Sequence, residues 1–469
     1  MSYDDNNDYY SDRITDDGNN ITSNKDISNI TENVAYKSED DDFMIKEMEP
    51  VKEPRVSYCG IKSDSKFSAI INLSSSAIGG GCLNFPAIIK SIGLPLTIGI
   101  FLFVTVCIYY TIDLLRYFVV DTKFFSFALM TNEILGKQWL KVYAIISLIF
   151  YITIEIHYLK MIYTIISQMI DLNGEYKALL NLAYFAISIT IEIFICSFIS
   201  KTKRVHIFSF ISSILFIIVL GIIISQGIKN MIQGTNKFQK EILISPPIND
   251  KCKFFFGIMT YIIEYLYGYS YHSSYPTLLK NLKNVDDQNT KIVHNISFIF
   301  IFVSYFLVTF FGFFTKHPVS DIIENPIGKK IPVIIIFRIV LCLFILSVVP
   351  LRFIVIRDNY SSLIKKSEKK KAISFKRDLI CVTLIIFYCN LVLFSINQSF
   401  LKDGITIITV FGGVFGVIIG FVLPVINYVG ANGKLKVKSI IGYVLTGIFC
   451  IIALLSVGYS IFEQIKDYY

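Results

Sequence analysis

The chain has 469 residues, of which 54% are hydrophobic and only 17% are charged. Soluble domains do not have this composition, and apolar runs of about 20 residues recur throughout, which excludes a single water-soluble globule. The net charge of +8 is uneven: residues 1–66 hold twice as many Asp and Glu as Lys and Arg, and the remainder is correspondingly basic.

Residues 1–66 are rich in Asp, Asn and Ser without apolar periodicity, which predicts a disordered acidic tail. No apolar core precedes Phe67, so no cleavable signal peptide is expected, and the first span serves as the insertion signal. That span, about 67–89, is long enough to cross a bilayer, yet it contains Gly79-Gly80-Gly81. Each glycine costs a helix about 1 kcal/mol relative to alanine. Helices broken at mid-depth are tolerated where their backbone lines a cavity, and carriers bind substrate there. Asn84 and Pro86 fit a cap and an early-helix proline for a second half-helix. The plainer alternative is that the glycines only allow helices to pack closely.

Ten more spans follow, at about 93–118, 142–170, 178–199, 206–226, 254–276, 292–314, 331–355, 378–397, 404–428 and 438–460. The membrane domain is thus expected over 67–460, with a short tail at 461–469. At the end of span 2, Asp113 and Arg116 are expected to snorkel to the interface. In span 3, Glu155 and Lys160 lie on neighbouring helix faces, within reach of a structural ion pair. Trp139 sits where an indole anchors a span at the interface.

The sixth span turns polar and aromatic halfway, from Tyr261 to Pro276. Gly268 lets that backbone open. Tyr265, Tyr267, Tyr269 and Tyr271 either shape a pocket or pack in the interior, and their alternation favours an unwound segment over a helix. Glu264, just before the interruption, has three roles open to it: proton acceptor, partner of a cationic substrate side chain, or hydrogen-bond partner of a tyrosine. His272 is expected to make a hydrogen bond that holds a conformation. Interruptions in spans 1 and 6 are five spans apart. With five spans per unit the second unit is inverted, which is the signature of an inverted-repeat carrier with its site between the repeats.

Loop Lys and Arg, dominated by Lys365–Lys371 between spans 8 and 9, place the N-terminus in the cytosol and anchor the chain on the anionic leaflet. This basic charge reads as membrane-surface charge, with no nucleic-acid partner. The cysteines show no disulfide framework and no metal-ligand spacing. No nucleophile, metal set or carboxylate pair converges on a site, so the chain is not expected to be an enzyme, and no resident cofactor is expected.

Five segments in order resemble the amino acid/auxin permease family, which includes the system-A/N and vesicular amino acid transporters. Asn72-Leu73-Ser74, Ile78-Gly79-Gly80-Gly81-Cys82-Leu83 and Pro86 are similar to its N-L-x-x-x-x-I-G-x-G-I-L-x-x-P signature. Thr131-Asn132-Glu133-Ile134-Leu135-Gly136-Lys137 follows span 2. His272 and Leu282-Lys283-Asn284 keep the spacing of a C-H-x-x-x-L-P-x-Y-x-E-L-K segment, with Pro276 one residue early. Pro350-Leu351-Arg352 with Arg357 resembles P-x-Q-x-x-P-x-R, and Gly412-Gly413 through Phe421-Val422-Leu423-Pro424 and Tyr428 resembles the span-10 motif.

The resemblance implies an all-α integral membrane protein of about eleven helices: a LeuT-type 5+5 inverted repeat plus one extra helix. It implies secondary transport of amino acids by alternating access, coupled to H+ or Na+. A zwitterion's carboxylate suits the N–H groups freed at the break and the positive end of the following half-helix. Its ammonium suits carbonyls of span 1 before the break and of span 6 around Tyr267–Tyr269. Ser76, Gly79, Gly80, Gly81, Tyr267, Gly268 and Tyr269 are therefore the substrate-binding candidates. Sodium-coupled relatives use a span-1 Asn and a span-8 Thr. Ser75 stands at the first position and Ser347 is the nearest hydroxyl to the second, so Ser75, Ser347 and Glu264 are the ion-coupling candidates. The host membrane is expected to be the plasma membrane or a vacuolar, lysosome-like one. The alternative is an amino-acid sensor of carrier-like fold that signals through its acidic tail.

Overall fold

The computed structural model describes residues 57–58, 61–62, 65–169, 205–233, 251–269, 271–280, 282–315, 332–364, 412–432 and 437–468, together with the single positions 384 and 388. Span 4, all of span 9 but those two positions, the lysine run at 365–371 and nearly all of the acidic stretch lie outside these. A two-rung antiparallel pair, β1 (Ser57–Tyr58) with β2 (Ile61–Lys62), precedes the first span. Everything else of regular structure among the described residues is helical.

The first span is two helices, α1 (Lys66–Ala77) and α2 (Phe85–Ile92), separated by two extended residues and a 3-10 turn at Gly80–Asn84. Ser65 caps α1 by accepting from the Ser68 N–H at 3.1 Å. Pro86 sits in the first turn of α2 as expected, but Asn84 makes no capping bond. The chain instead tightens through the 3-10 turn, which leads directly into α2. Gly93 turns the chain at φ 82, and Pro95 then opens α3 (Leu94–Thr122). A helix that the hydropathy pattern did not announce, α4 (Phe127–Leu135), carries the Thr131–Leu135 motif and packs on α5 (Lys137–Met169). Then come α6 (Val205–Ile232), α7 (Lys251–Gly268), the short α8 (Tyr275–Leu279) and α9 (Asp287–Phe313).

The remaining helices are α10 (Pro332–Ile364), α11 (Gly412–Ala431) and α12 (Val437–Tyr468). Among the described residues, seven helices are long and apolar enough to cross a membrane. α10 packs along both α5 and α6, while α9 lies against α1, α2, α3 and α6. α9 and α10 brace α1, and α9 also braces α2, whereas α7 lies against α12 and α3. The other side of α12 turns Val437, Ile451, Leu454 and Phe462 outward, as expected of a lipid-facing helix.

Arg116 does not snorkel. It is 1% exposed, donates from Nε to Asp113 at 2.8 Å and from Nη1 to Asp287 at the start of α9. The partner it needs is distant in sequence, and pairing there replaces hydration at the interface. Removing one member of a buried pair costs about 3–5 kcal/mol, and the partial exposure of both carboxylates puts this case at the lower end. Arg116→Ala should therefore lower the thermal unfolding midpoint in detergent clearly, while a substitution of exposed Lys66 should not.

Candidate functional site

The end of α1 is rich in serine and small residues, and its last regular bond runs from the Ile78 N–H to Ser74 O at 2.8 Å. Gly79 is then extended, at φ −136 and ψ −176, a conformation open to any residue. Glycine is required there by space. A Cβ on Gly79 would lie 1.7 Å from Tyr158 Oη and 2.8 Å from Arg352 Nη2, and one on Gly80 would lie 2.9 Å from Met161 Sδ. The break thus packs on α5 and on the Arg352 side chain of α10. A Cβ on Gly81 would lie 3.5 Å from the Gly268 Cα, and one on Gly268 would lie 2.5 Å from Phe85 Cζ. The glycines serve both purposes raised by the sequence: they interrupt the helix, and they let the two interrupted spans touch.

The second interruption follows Gly268. α7 is regular through Tyr265 and Tyr267, so the tyrosine alternation does not mark unwound backbone there. Tyr265 and Tyr267 lie in the helix, where residues two apart face different ways, while Tyr269 and Tyr271 lie beyond its end. Tyr267 points toward the crossing, with its ring near Phe150 and His157 and against Gly412 of α11. Its hydroxyl has no hydrogen-bond partner among the described residues. Tyr269 turns the other way: its hydroxyl pairs with Thr105 Oγ1 at 3.0 Å and its ring lies among Phe101, Phe298 and Tyr305. Tyr265 packs on Phe85 and Phe101, and Tyr271 on His272 and Tyr275.

One hydroxyl joins the two breaks. Tyr305 of α9 lies 2.7 Å from Ala77 O and 2.8 Å from Gly268 O, the last carbonyls of the two helices before their interruptions. Its single proton serves one carbonyl at a time, so the two share it. The Gly79 carbonyl is also engaged, by Cys82 Sγ at 3.2 Å. The carbonyls expected to hold an ammonium therefore already have a protein donor. No sequence motif pointed to Tyr305, because α9 reads only as an apolar span.

The other side of the break holds a polar cluster. Arg352, 7% exposed, donates from Nη2 to Tyr158 Oη at 2.7 Å, and that oxygen also faces the Gly80 backbone N–H. Glu155, one turn before Tyr158 on the same face of α5, is fully buried and lies within electrostatic reach of Arg352, Tyr158 and Tyr267. Neither of its oxygens has a hydrogen-bond partner among the described residues. Arg352 Nε and both His157 nitrogens are likewise without partners there. Arg352 was legible only as part of the P-L-R motif, and Tyr158 gave no signal in the sequence.

The ion-coupling candidates are not gathered at one centre by their hydrogen bonds. Ser75 Oγ lies 2.8 Å from Ser209 O and 2.8 Å from Ser213 Oγ, so it binds α1 to α6. Ser347 Oγ donates to Phe344 O at 2.6 Å and Ser76 Oγ to Leu73 O at 2.8 Å, each within its own helix. Glu264 is half-buried on α7, one turn before Gly268 and close to Tyr261 and Tyr265. His272 makes the expected fixed bond, Nε2 to Thr111 Oγ1 at 3.0 Å. It lies under Gly420, at a π-turn (Ile418–Val422) in α11.

This architecture is shared with solved structures. A manganese transporter from Eremococcus coleocola superposes with a TM-score of 0.57 at 10% identity, over 89% of this chain and 91% of that one. MhsT, solved with L-phenylalanine, superposes with a TM-score of 0.50 at 16% identity, over 84% of this chain and 98% of that one. The likeness is one of fold, the LeuT-type inverted repeat. The sequence itself, over residues 62–465, matches the model of the transmembrane amino acid transporter protein family, and the chain belongs to that family.

Proposed function

We propose that the protein is a secondary active carrier that moves amino acids across a membrane by alternating access, with its N-terminus in the cytosol and a proton or sodium gradient as the driver. The observation that supports this most is the Tyr305 hydroxyl held between Ala77 O and Gly268 O. Two helices interrupted at the same place and joined by one shared proton form a centre that opens to either side without exposing an unpaired backbone to lipid. The family match supplies the substrate class.

Counterflow tests the carrier directly. Proteoliposomes preloaded with an unlabelled amino acid should take up the labelled one faster than unloaded vesicles. Binding without exchange would support the sensor instead. For coupling, Glu264 is the residue to change. If protons drive uptake through it, Glu264→Gln should transport equally with and without an imposed pH gradient. Retention of the wild-type response would remove Glu264 from coupling.

A further inference from the structure

The glycine-bounded crossing offers an amino acid fewer backbone partners than the fold suggests. Ala77 O and Gly268 O share the Tyr305 hydroxyl, and Gly79 O accepts from Cys82. An ammonium placed here would have to share these carbonyls with Tyr305 and Cys82. On the α5–α10 side the situation is reversed. Both oxygens of Glu155 and Nε of Arg352 have no hydrogen-bond partner among the described residues, although both side chains are more than nine-tenths buried.

Buried polar atoms without partners carry a desolvation penalty, and buried charges carry a larger one. Two opposite charges held near each other but not bonded to each other are costly unless a third group joins them. A zwitterion is such a group. Its carboxylate matches the guanidinium, whose planar fork suits carboxylates, and its ammonium matches the carboxylate of Glu155. The net charge of the centre is then zero before and after binding. The Tyr158 phenol marks the place of the substrate carboxylate. Its oxygen already accepts from Arg352 at 2.7 Å and faces the Gly80 N–H, the two kinds of donor a carboxylate oxygen needs.

Resting on the carrier reading above, we infer that the α-amino acid head group is read by a side-chain charge clamp, Arg352 of α10 for the carboxylate and Glu155 of α5 for the ammonium. The clamp displaces Tyr158 from Arg352 as substrate enters, and the broken backbone supplies N–H groups but not the ammonium's acceptors. The clamp selects free α-amino acids over peptides or acylated amines. Tyr267 and the first turn of α11 are left to read the side chain.

The test compares the amino acid of highest uptake among the twenty with its own carboxamide and its own N-acetyl derivative, in competition binding to purified protein. The wild type should bind both derivatives on the order of tenfold to a hundredfold more weakly, the effect of losing one charge-assisted bond. In Arg352→Gln the penalty for the carboxamide should disappear while the N-acetyl penalty stays. In Glu155→Gln the reverse is expected. If either variant does not fold, Arg352→Lys and Glu155→Asp keep the charges and should keep both penalties with overall weaker binding. An Arg352→Gln or Glu155→Gln variant that weakens amino acid and derivatives alike, leaving both ratios at their wild-type values, overturns the clamp, as does a charge-keeping variant that loses either penalty. Wild-type protein that binds none of the twenty amino acids removes the carrier reading itself, before any derivative is compared.

Discussion

Gly79→Val should abolish amino acid uptake while leaving the protein inserted in the membrane. The backbone of Gly79 is extended and acceptable to valine, so the substitution introduces no dihedral strain. What it introduces is volume. A Cβ there would overlap Tyr158 Oη, at 1.7 Å, and crowd Arg352 Nη2, at 2.8 Å. Overpacking of this kind costs about 1–3 kcal/mol in a close-packed interior, which a helical bundle of this size survives. Relief requires Tyr158 and Arg352 to leave the break, and they are the groups that flank the proposed substrate position. Gly99→Val is the matched control: it lies in α3, where an added Cβ meets nothing within 4 Å, and it should transport normally. Normal uptake by Gly79→Val would remove the break from the substrate site.

Tyr305→Phe should lower the maximal uptake rate about tenfold, with a smaller change in the concentration for half-maximal uptake. Removing the hydroxyl leaves two buried carbonyls, Ala77 O and Gly268 O, without their shared donor. An unsatisfied buried acceptor costs about 1–3 kcal/mol, and 1.36 kcal/mol of it appearing in the barrier is tenfold in rate. The ring stays, and with it the edge contacts to Phe85 and Tyr269, so the helices keep their positions. The loss falls on the link between α1 and α7, which on the proposed carrier reading move together as the site changes sides. A variant with wild-type rate would mean that the two interruptions are held together by packing alone.

Much of this architecture is legible in the sequence because the bilayer imposes one requirement on every span. About 20 apolar residues are needed to cross it, so α3, α5, α6, α9, α10, α11 and α12 stand near their expected positions. The break in the first span was equally visible, since three consecutive glycines have no other local explanation than a gap or a close contact. The partners of the break were not visible. Tyr158 and Arg352 come to Gly79 from helices far along the chain, and periodicity within a helix says nothing of which neighbour a face meets. Arg116 misled for the same reason, because Asp287 belongs to another span. The tyrosines from 265 to 271 straddle the break: α7 stays helical through Gly268, so Tyr265 and Tyr267 are helical, while Tyr269 and Tyr271 lie in the irregular backbone beyond it. Ser75 stands where the resemblance places an ion ligand, yet its hydroxyl is bonded to α6.

The most direct measurement is uptake of each of the twenty labelled amino acids into proteoliposomes of the purified chain, under an inward proton gradient and then an inward sodium gradient. At least one amino acid should accumulate saturably above its equilibrium level under one of the two gradients. Entry of all twenty at the rate of protein-free vesicles under both gradients would contradict the account.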